Sequence, residues 1–486
     1  MLVSTRDFGQ KTTVSSAILQ GIAPDGGLYL PTEFENKQVI LSSLLGLSYA
    51  ETAKKVLAFL LEDYTGEEIS SCVDAAYTRF DTPQIAPLVK VGNHFVLELF
   101  HGPTKAFKDF ALQLLPHLIT TAKRKNGMKE NLLILTATSG DTGKAALEGF
   151  KDVSGTGVIV FFPDEGVSAV QKRQMITQEG SNLKVCAIQG NFDDAQTGVK
   201  TLFADKELQK TLKDRGFVFS SANSINFGRL APQTVYYFYA YAKLVSDGVI
   251  KLGDGVDFTV PTGNFGDILA GYLAFRMGLP VRKLICASNR NNVLTDFLTT
   301  GVYDRTRPFY KTTSPSMDIL VSSNLERLFP LMGASDTETA GYLRSLSETG
   351  KYEIKKELFT KIKTRFDCGF ADDEQTAWTI KTVFDQTGYL ADTHTAVAYT
   401  VAEKADHAGV PSVVLSTASP FKFSSAIQPL FGKKEENEWK GMEALSLATG
   451  KEIPDALANL RSKKVLHPDV IGKEEMKKFV LAFTEE

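Results

Sequence analysis

Apolar and polar positions fall into blocks whose period switches between that of a strand and that of a helix along most of the chain. Phe95, Val96, Leu97 and Leu99 read as a strand, and Gly102-Pro103-Thr104 breaks it. Phe107, Phe110, Ala111, Leu114, Leu115, Leu118 and Ala122 then recur at three- and four-residue spacing, which predicts an amphipathic helix. Pro116 lies inside that pattern and predicts a kink. Further strands are predicted at 132–135, 158–162, 183–188, 258–260, 284–287 and 413–415, with helical spacing between them. Such alternation predicts an α/β fold whose sheet is largely parallel. Residues 1–92 read instead as mostly helical, as at 41–64, and close on the Pro-bearing stretch 81–87. The chain turns polar and Pro-bearing from 300 to 318, then charged and helical from about 333 to 390. We read 300–390 as an insertion in the large α/β domain. No solenoid-length repeat or low-complexity tract occurs.

Two glycine-rich junctions stand out. Residues 132–136 lead into Ala137-Thr138-Ser139-Gly140-Asp141-Thr142-Gly143, with helical spacing from 144 to 150. Residues 257–260 lead into Pro261-Thr262-Gly263-Asn264-Phe265-Gly266-Asp267, with helical spacing from 268 to 277. Glycines there let backbone N–H groups turn towards an anion, and a helix N-terminus adds partial positive charge. One such loop is an ordinary strand–helix turn. Two, together with Lys108 at a third loop–helix junction, point to a site. Lys108 takes no part in the apolar stripe around it. Desolvation disfavours its ammonium, and a neutral lysine can attack a carbonyl and form a Schiff base, as pyridoxal phosphate enzymes require. Gly143-Lys144 resembles the end of a nucleotide P-loop, but Thr138 and Ala145 break that motif. Gly140 and Gly143 lack the first glycine of a dinucleotide fingerprint.

Composition adds boundaries. A chain of 486 residues exceeds one core, so two or three domains are expected. A net charge of −3 offers no basic surface for nucleic acid. Cys72, Cys186, Cys286 and Cys368 form no paired motif and suit a reducing compartment. The six histidines show no metal-ligand spacing, so no metal is expected. The N-terminus lacks the apolar stretch of a signal peptide, and no apolar run reaches membrane-spanning length. The expectation is a cytoplasmic protein with a small-molecule substrate, acting as monomer or homodimer.

Longer motifs carry a resemblance. Ser4-Thr-Arg6, the run Gly21 to Tyr29, Glu98-Leu-Phe-His-Gly-Pro-Thr104, Ala106-Phe-Lys-Asp109 and Ala137-Thr-Ser-Gly-Asp-Thr-Gly143 resemble the threonine synthases. So do Gln171-Lys-Arg-Gln-Met175, Asn223-Ser-Ile-Asn226, Pro261-Thr-Gly-Asn-Phe-Gly266, Ser314-Pro-Ser-Met-Asp318 and Ser323-Asn-Leu-Glu-Arg327. The resemblance implies two parallel-sheet α/β domains of the tryptophan-synthase-β-like type (fold type II) with a mostly helical N-terminal domain. We divide the chain at 1–92, 93–225 (a smaller α/β domain with the lysine and the first loop) and 226–486 (a large α/β domain with the second loop).

That resemblance also implies roles. Lys108 would carry pyridoxal 5'-phosphate, and Gly263, Asn264, Phe265 and Gly266 would cradle its phosphate. Ser139, Gly140, Asp141 and Thr142 would meet the substrate carboxylate, although Asp141 stands where related enzymes of the fold often have Asn, so its contact is left open. Thr417, or failing it Ser416, would donate to the ring nitrogen, since a hydroxyl can donate to an unprotonated nitrogen. Asn223, Ser224 and Arg229 would hold the phosphate of O-phosphohomoserine. The implied reaction adds water to that substrate and gives threonine and phosphate, with Lys108 as the proton-moving base. The alternative is a lyase of the same fold releasing a 2-oxo acid. The chain departs from the family pattern at Lys105, Lys144, Thr393 and Ser419.

Overall fold

The computed structural model describes residues 1–31, 38–138, 140–164 and 167–485. Two parallel sheets organise it. The larger has the order Phe366–Phe370, Val281–Ser288, Val256–Pro261, Ser412–Ser416, His94–Glu98, Leu88–Val91. All its neighbours are parallel except the last pair. The smaller has the order Val470–Ile471, Leu183–Ile188, Thr156–Pro163, Asn131–Ala137, Phe217–Ser220, parallel throughout. Strands covered on both faces need apolar residues on both, and Thr156–Pro163 is buried at every position.

Every strand expected from the spacing is present. Phe217–Ser220 and Phe366–Phe370 were not expected. The second falls inside the 300–390 segment and forms an edge of the larger sheet, so that segment is not wholly an insertion. Cys368 and Gly369 interrupt its apolar run and hide the strand. Strand membership also departs from the division drawn in sequence. His94–Glu98 pairs with Ser412–Ser416 in the larger sheet, and Val470–Ile471 joins the smaller one. Parallel partners meet through long crossovers, which local spacing cannot reveal.

The N-terminal residues carry helices Val14–Gln20, Tyr49–Leu60 and Gly66–Ala76. Capping boxes at Ser48/Glu51 and Thr65/Glu68 start the last two. A small antiparallel sheet of Lys11–Thr12, Leu2–Ser4 and Tyr29–Pro31, absent from the sequence reading, packs with them. The 41–64 pattern resolves into a 3-10 turn, Leu41–Leu44, and the helix from Tyr49, parted at Gly46 (φ +73°).

Pro116 breaks the helical pattern rather than kinking it. The helices are Asp109–Leu112 and Leu115–Lys125. Pro116 sits in the first turn of the second, where a missing N–H leaves no bond unmade. The short first helix packs on Asp141–Phe150 at Gly149, where a Cβ would stand 1.9 Å from the Leu112 carbonyl oxygen. That approach brings the lysine loop beside the first glycine loop.

Candidate active site

Lys108 lies just before the helix Asp109–Leu112, past the C-terminal end of strand His94–Glu98. The loop between them folds on Asp109, which accepts from Thr104 N–H and Thr104 Oγ1 at 2.8 Å each. Gly102 is required there, since a Cβ would lie 2.4 Å from Asp109 Oδ2. Burial raises the Asp109 carboxyl to about 6, against the pull of the Thr104 bonds. The same loop pairs with the segment after Ser412–Ser416. Phe107 N–H donates to Thr417 O at 2.8 Å and Ser419 N–H to Lys105 O at 3.0 Å. Residues far apart in sequence thus share one short ladder.

The two lysines of this loop differ in their surroundings. Lys105, in a left-handed conformation (φ +61°), pairs with Asp81, which also binds His101 Nδ1 at 2.8 Å. Lys108, with 12% of its side chain exposed, stands 3.8 Å from its carboxylate neighbour Asp141 Oδ2, beyond hydrogen-bond distance. Burial pushes the Lys108 ammonium below its usual range. Asp141 opposes that push, while Lys422 and Arg229 reinforce it.

Asp141, left open in the sequence, has clear partners. Its Oδ1 accepts from Lys422 Nζ at 2.6 Å and from Gln171 Nε2 at 3.0 Å. Ser316 Oγ lies 3.5 Å from its Oδ2. Burial alone would raise this carboxyl, but Lys422 and Lys108 hold it well below the usual range.

The first glycine loop opens the helix Asp141–Phe150. Ser139 lies outside the described residues. The N–H groups of Gly140 and Gly143 turn inwards to Thr138 Oγ1, at 2.9 and 3.0 Å. Those of Asp141 and Thr142 have no acceptor among the described residues and remain for a ligand.

The second loop ends strand Val256–Pro261 and opens helix Gly266–Arg276, with Phe265 at φ +60°. Its carbonyls are tied outwards. Ser322 Oγ donates to Gly263 O at 2.8 Å, and Asn324 N–H and Nδ2 each donate to Asn264 O at 3.0 Å. The N–H groups of Gly263, Asn264, Phe265 and Gly266 have no acceptor among the described residues. Four unpaired donors at a helix start suit a phosphate. A Cβ on Gly263 would sit 2.7 Å from Ser316 O, so the residue must stay small.

The Asn223–Arg229 stretch faces the same region. Arg229, on the short helix Phe227–Leu230, is 3% exposed. Its Nη1 donates to Ala222 O at 2.6 Å, while its Nε is buried without a partner. Burial lowers its guanidinium to about 10. An orphaned guanidinium nitrogen of this kind calls for an anion. Ser224 Oγ lies 3.5 Å from Asn324 Nδ2, which links this stretch to the second loop. Asn226 caps the short helix by accepting Gly228 N–H.

Of the two hydroxyls considered for the ring nitrogen, Ser416 Oγ is engaged by Thr395 at 3.0 Å and Tyr389 at 3.2 Å. Thr417 Oγ1 has no hydrogen bond among the described residues, and that favours it.

Sequence reasoning missed Lys422. It is fully buried and also donates to Thr104 O at 2.9 Å. The signal was a lysine set between Phe421 and Phe423. Gln171, Ser316 and Asn324 lie within the family-like motifs 171–175, 314–318 and 323–327, whose spacing alone does not show what they contact. Among the described residues no group of His, Cys, Asp and Glu could hold a metal, and no helix is long and apolar enough to cross a membrane.

Three family models cover the chain: "Threonine synthase N terminus" at 1–77, "Pyridoxal-phosphate dependent enzyme" at 80–417 and "Threonine synthase, C-terminal" at 395–480. "Threonine synthase" of Pseudomonas aeruginosa is 41% identical over 88% of this chain and 89% of its own. The chain belongs to the threonine synthase family. "Threonine synthase-like 1" of Homo sapiens is 40% identical over 93% of the chain, which spans only 63% of that relative's length. The crystal structure of PLP-bound threonine synthase from Brucella melitensis superposes with a TM-score of 0.88 at 38% identity. That match covers 100% of this chain and 99% of the other. Lys144, read in the sequence as a departure from the family pattern, is paired with Glu148 Oε2 at 2.8 Å and with Gln178.

Proposed function

We propose that this chain binds pyridoxal 5'-phosphate on Lys108 and converts O-phospho-L-homoserine and water to L-threonine and phosphate. One observation carries the reading. In a chain of this family, a nearly buried lysine without a tight counterion lies beside two loops in each of which several backbone N–H groups lack acceptors among the described residues. Bound there, the cofactor would supply an electron sink for carbanions at Cα and then Cβ of the substrate.

This chain's own residues would do the rest. Gly263, Asn264, Phe265 and Gly266 would donate backbone N–H groups to the cofactor phosphate, held convergent by Ser322 and Asn324. The Thr417 hydroxyl would donate to the ring nitrogen, and its backbone already carries Phe107. The N–H groups of Asp141 and Thr142, with Ser139, would receive the substrate carboxylate, while the Gly140 N–H, bonded to Thr138 Oγ1, would shape the loop rather than donate. Asn223, Ser224 and Arg229 would bind the substrate phosphate, with Arg229 Nε gaining the partner it lacks. Lys108, freed by the incoming substrate amine, would take and return protons at Cα and Cβ. A low-lying ammonium suits that work, because a base must shed its proton near neutral pH. Arg229 would keep the departed phosphate in place while water adds at Cβ. The same reading has the enzyme act in the cytoplasm, as monomer or homodimer; four cysteines without a disulfide suit the reducing compartment.

Incubation with O-phosphohomoserine, assaying threonine, phosphate and 2-oxobutyrate together, tests the reading. Threonine and phosphate should appear in equal amounts. Phosphate with 2-oxobutyrate in place of threonine would make the chain a lyase and overturn it.

A further inference from the structure

Two lysines share one buried carboxylate, and they do not share it equally. Lys422 Nζ stands 2.6 Å from Asp141 Oδ1, whereas Lys108 Nζ stands 3.8 Å from Asp141 Oδ2. We propose that Lys422 is a positioning residue that occupies the Asp141 carboxylate, so that Lys108 is left without a tight counterion and can release its proton. The proposal rests on the reading of Lys108 given above.

Several contacts fix the arrangement. Lys422 is fully buried and its ammonium also donates to Thr104 O at 2.9 Å, three residues before Phe107 in the lysine loop. Gln171 Nε2 fills the remaining approach to Asp141 Oδ1 at 3.0 Å. The carboxylate therefore cannot turn towards Lys108 without breaking two hydrogen bonds. One side chain thus ties together the lysine loop, the first glycine loop and the segment after Thr417.

The other carboxylates near Lys108 are only partly engaged. Asp109 is held by Thr104, while Asp267 accepts from Tyr236 at 2.6 Å and Tyr237 at 2.9 Å through Oδ1 alone, its Oδ2 being buried without a partner among the described residues. Arg229 adds a second positive charge that disfavours the Lys108 ammonium. His394 is turned elsewhere: its Nε2 accepts Ser316 N–H at 3.1 Å and its Nδ1 lies 2.8 Å from Asp392. Asp141 is the carboxylate that acts most strongly on Lys108, ahead of Asp109, and its Oδ1 is held by Lys422. A like charge nearby disfavours the protonated lysine, and an opposite charge favours it.

Opposite shifts for the two partners follow. The reporter is the visible absorption of the bound cofactor in the holoenzyme, titrated with pH, which follows the proton on the nitrogen through which Lys108 holds it. Lys422→Gln keeps a donor for Thr104 O but removes the charge. It should move the titration to higher pH by about 1 unit or more, because Asp141 then acts on Lys108 alone. Asp141→Asn should move it to lower pH by a similar amount. Lys422→Arg, which retains the charge, should stay near wild type. A purely structural role for Lys422 would lower thermal stability without moving the titration. An unmoved midpoint in Lys422→Gln, or a shift in the same direction as Asp141→Asn, would overturn the proposal. If Lys422→Gln fails to fold, a rise or no change in Asp141→Asn overturns it alone. Wild-type protein with no visible band would instead remove the Lys108 reading on which the proposal stands.

Discussion

At the scale of single residues, Arg229 carries the sharpest expectation. Its guanidinium is buried with one nitrogen unpaired, a costly state unless an anion completes it. A hydrogen bond to a charged group contributes roughly 1.5–3 kcal/mol. Arg229→Ala should therefore reduce kcat/KM for O-phosphohomoserine by about one to two powers of ten. The cofactor's absorption should stay intact. Arg229→Lys should restore little, since an ammonium lacks the planar fork that suits phosphate. Kinetics and thermal stability measured on one preparation separate this from a structural arginine, which would lose stability and keep near-normal kinetics. What the sequence made legible at this scale is which loops to look at: the structure brings the loops of Lys108, Gly263, Gly266 and Arg229 into one region. The place of Lys422 and the partners of Asp141 were not legible. Those depend on a contact between segments about 280 residues apart, and a lysine between two phenylalanines does not announce what it faces.

At the scale of elements, the site is held by packing that leaves no room for a side chain. Helices Asp109–Leu112 and Asp141–Phe150 touch at Gly149, backbone against backbone. Gly149→Ala would force them apart, at about 1–3 kcal/mol for overpacking of this kind. It would also draw Asp141 away from Lys108, since each lies at the start of one of these helices. Denaturant unfolding should show the lost stability, and the cofactor's spectral titration should move with it. Unchanged stability would mean that the two helices approach less closely. Most elements could be read from the chain because continuous apolar runs such as that of Thr156–Pro163 alternate with three- and four-residue spacing such as that of Leu115–Lys125. Phe366–Phe370 is hidden because Cys368-Gly369 breaks its pattern, and near Pro116 the spacing predicts a kink where the structure has a break between two helices. A proline in a first turn and one in a helix interior look alike in sequence; the backbone decides between them.

At the scale of the whole molecule, the lysine loop and second glycine loop follow C-terminal ends of strands in the larger sheet, and the first glycine loop follows one in the smaller. Ligands in α/β folds bind at such ends. The class of fold was visible in the alternation of strands and helices. Which strand joins which sheet was not, because His94–Glu98 and Val470–Ile471 find partners that lie far along the chain. The central claim is that the cofactor is carried by Lys108 and not by Lys105, three residues away and paired with Asp81. Borohydride reduction of the holoenzyme followed by peptide mapping tests it most directly. The account predicts the reduced cofactor on Lys108 alone. An adduct on Lys105, or on no lysine of the loop, would contradict it.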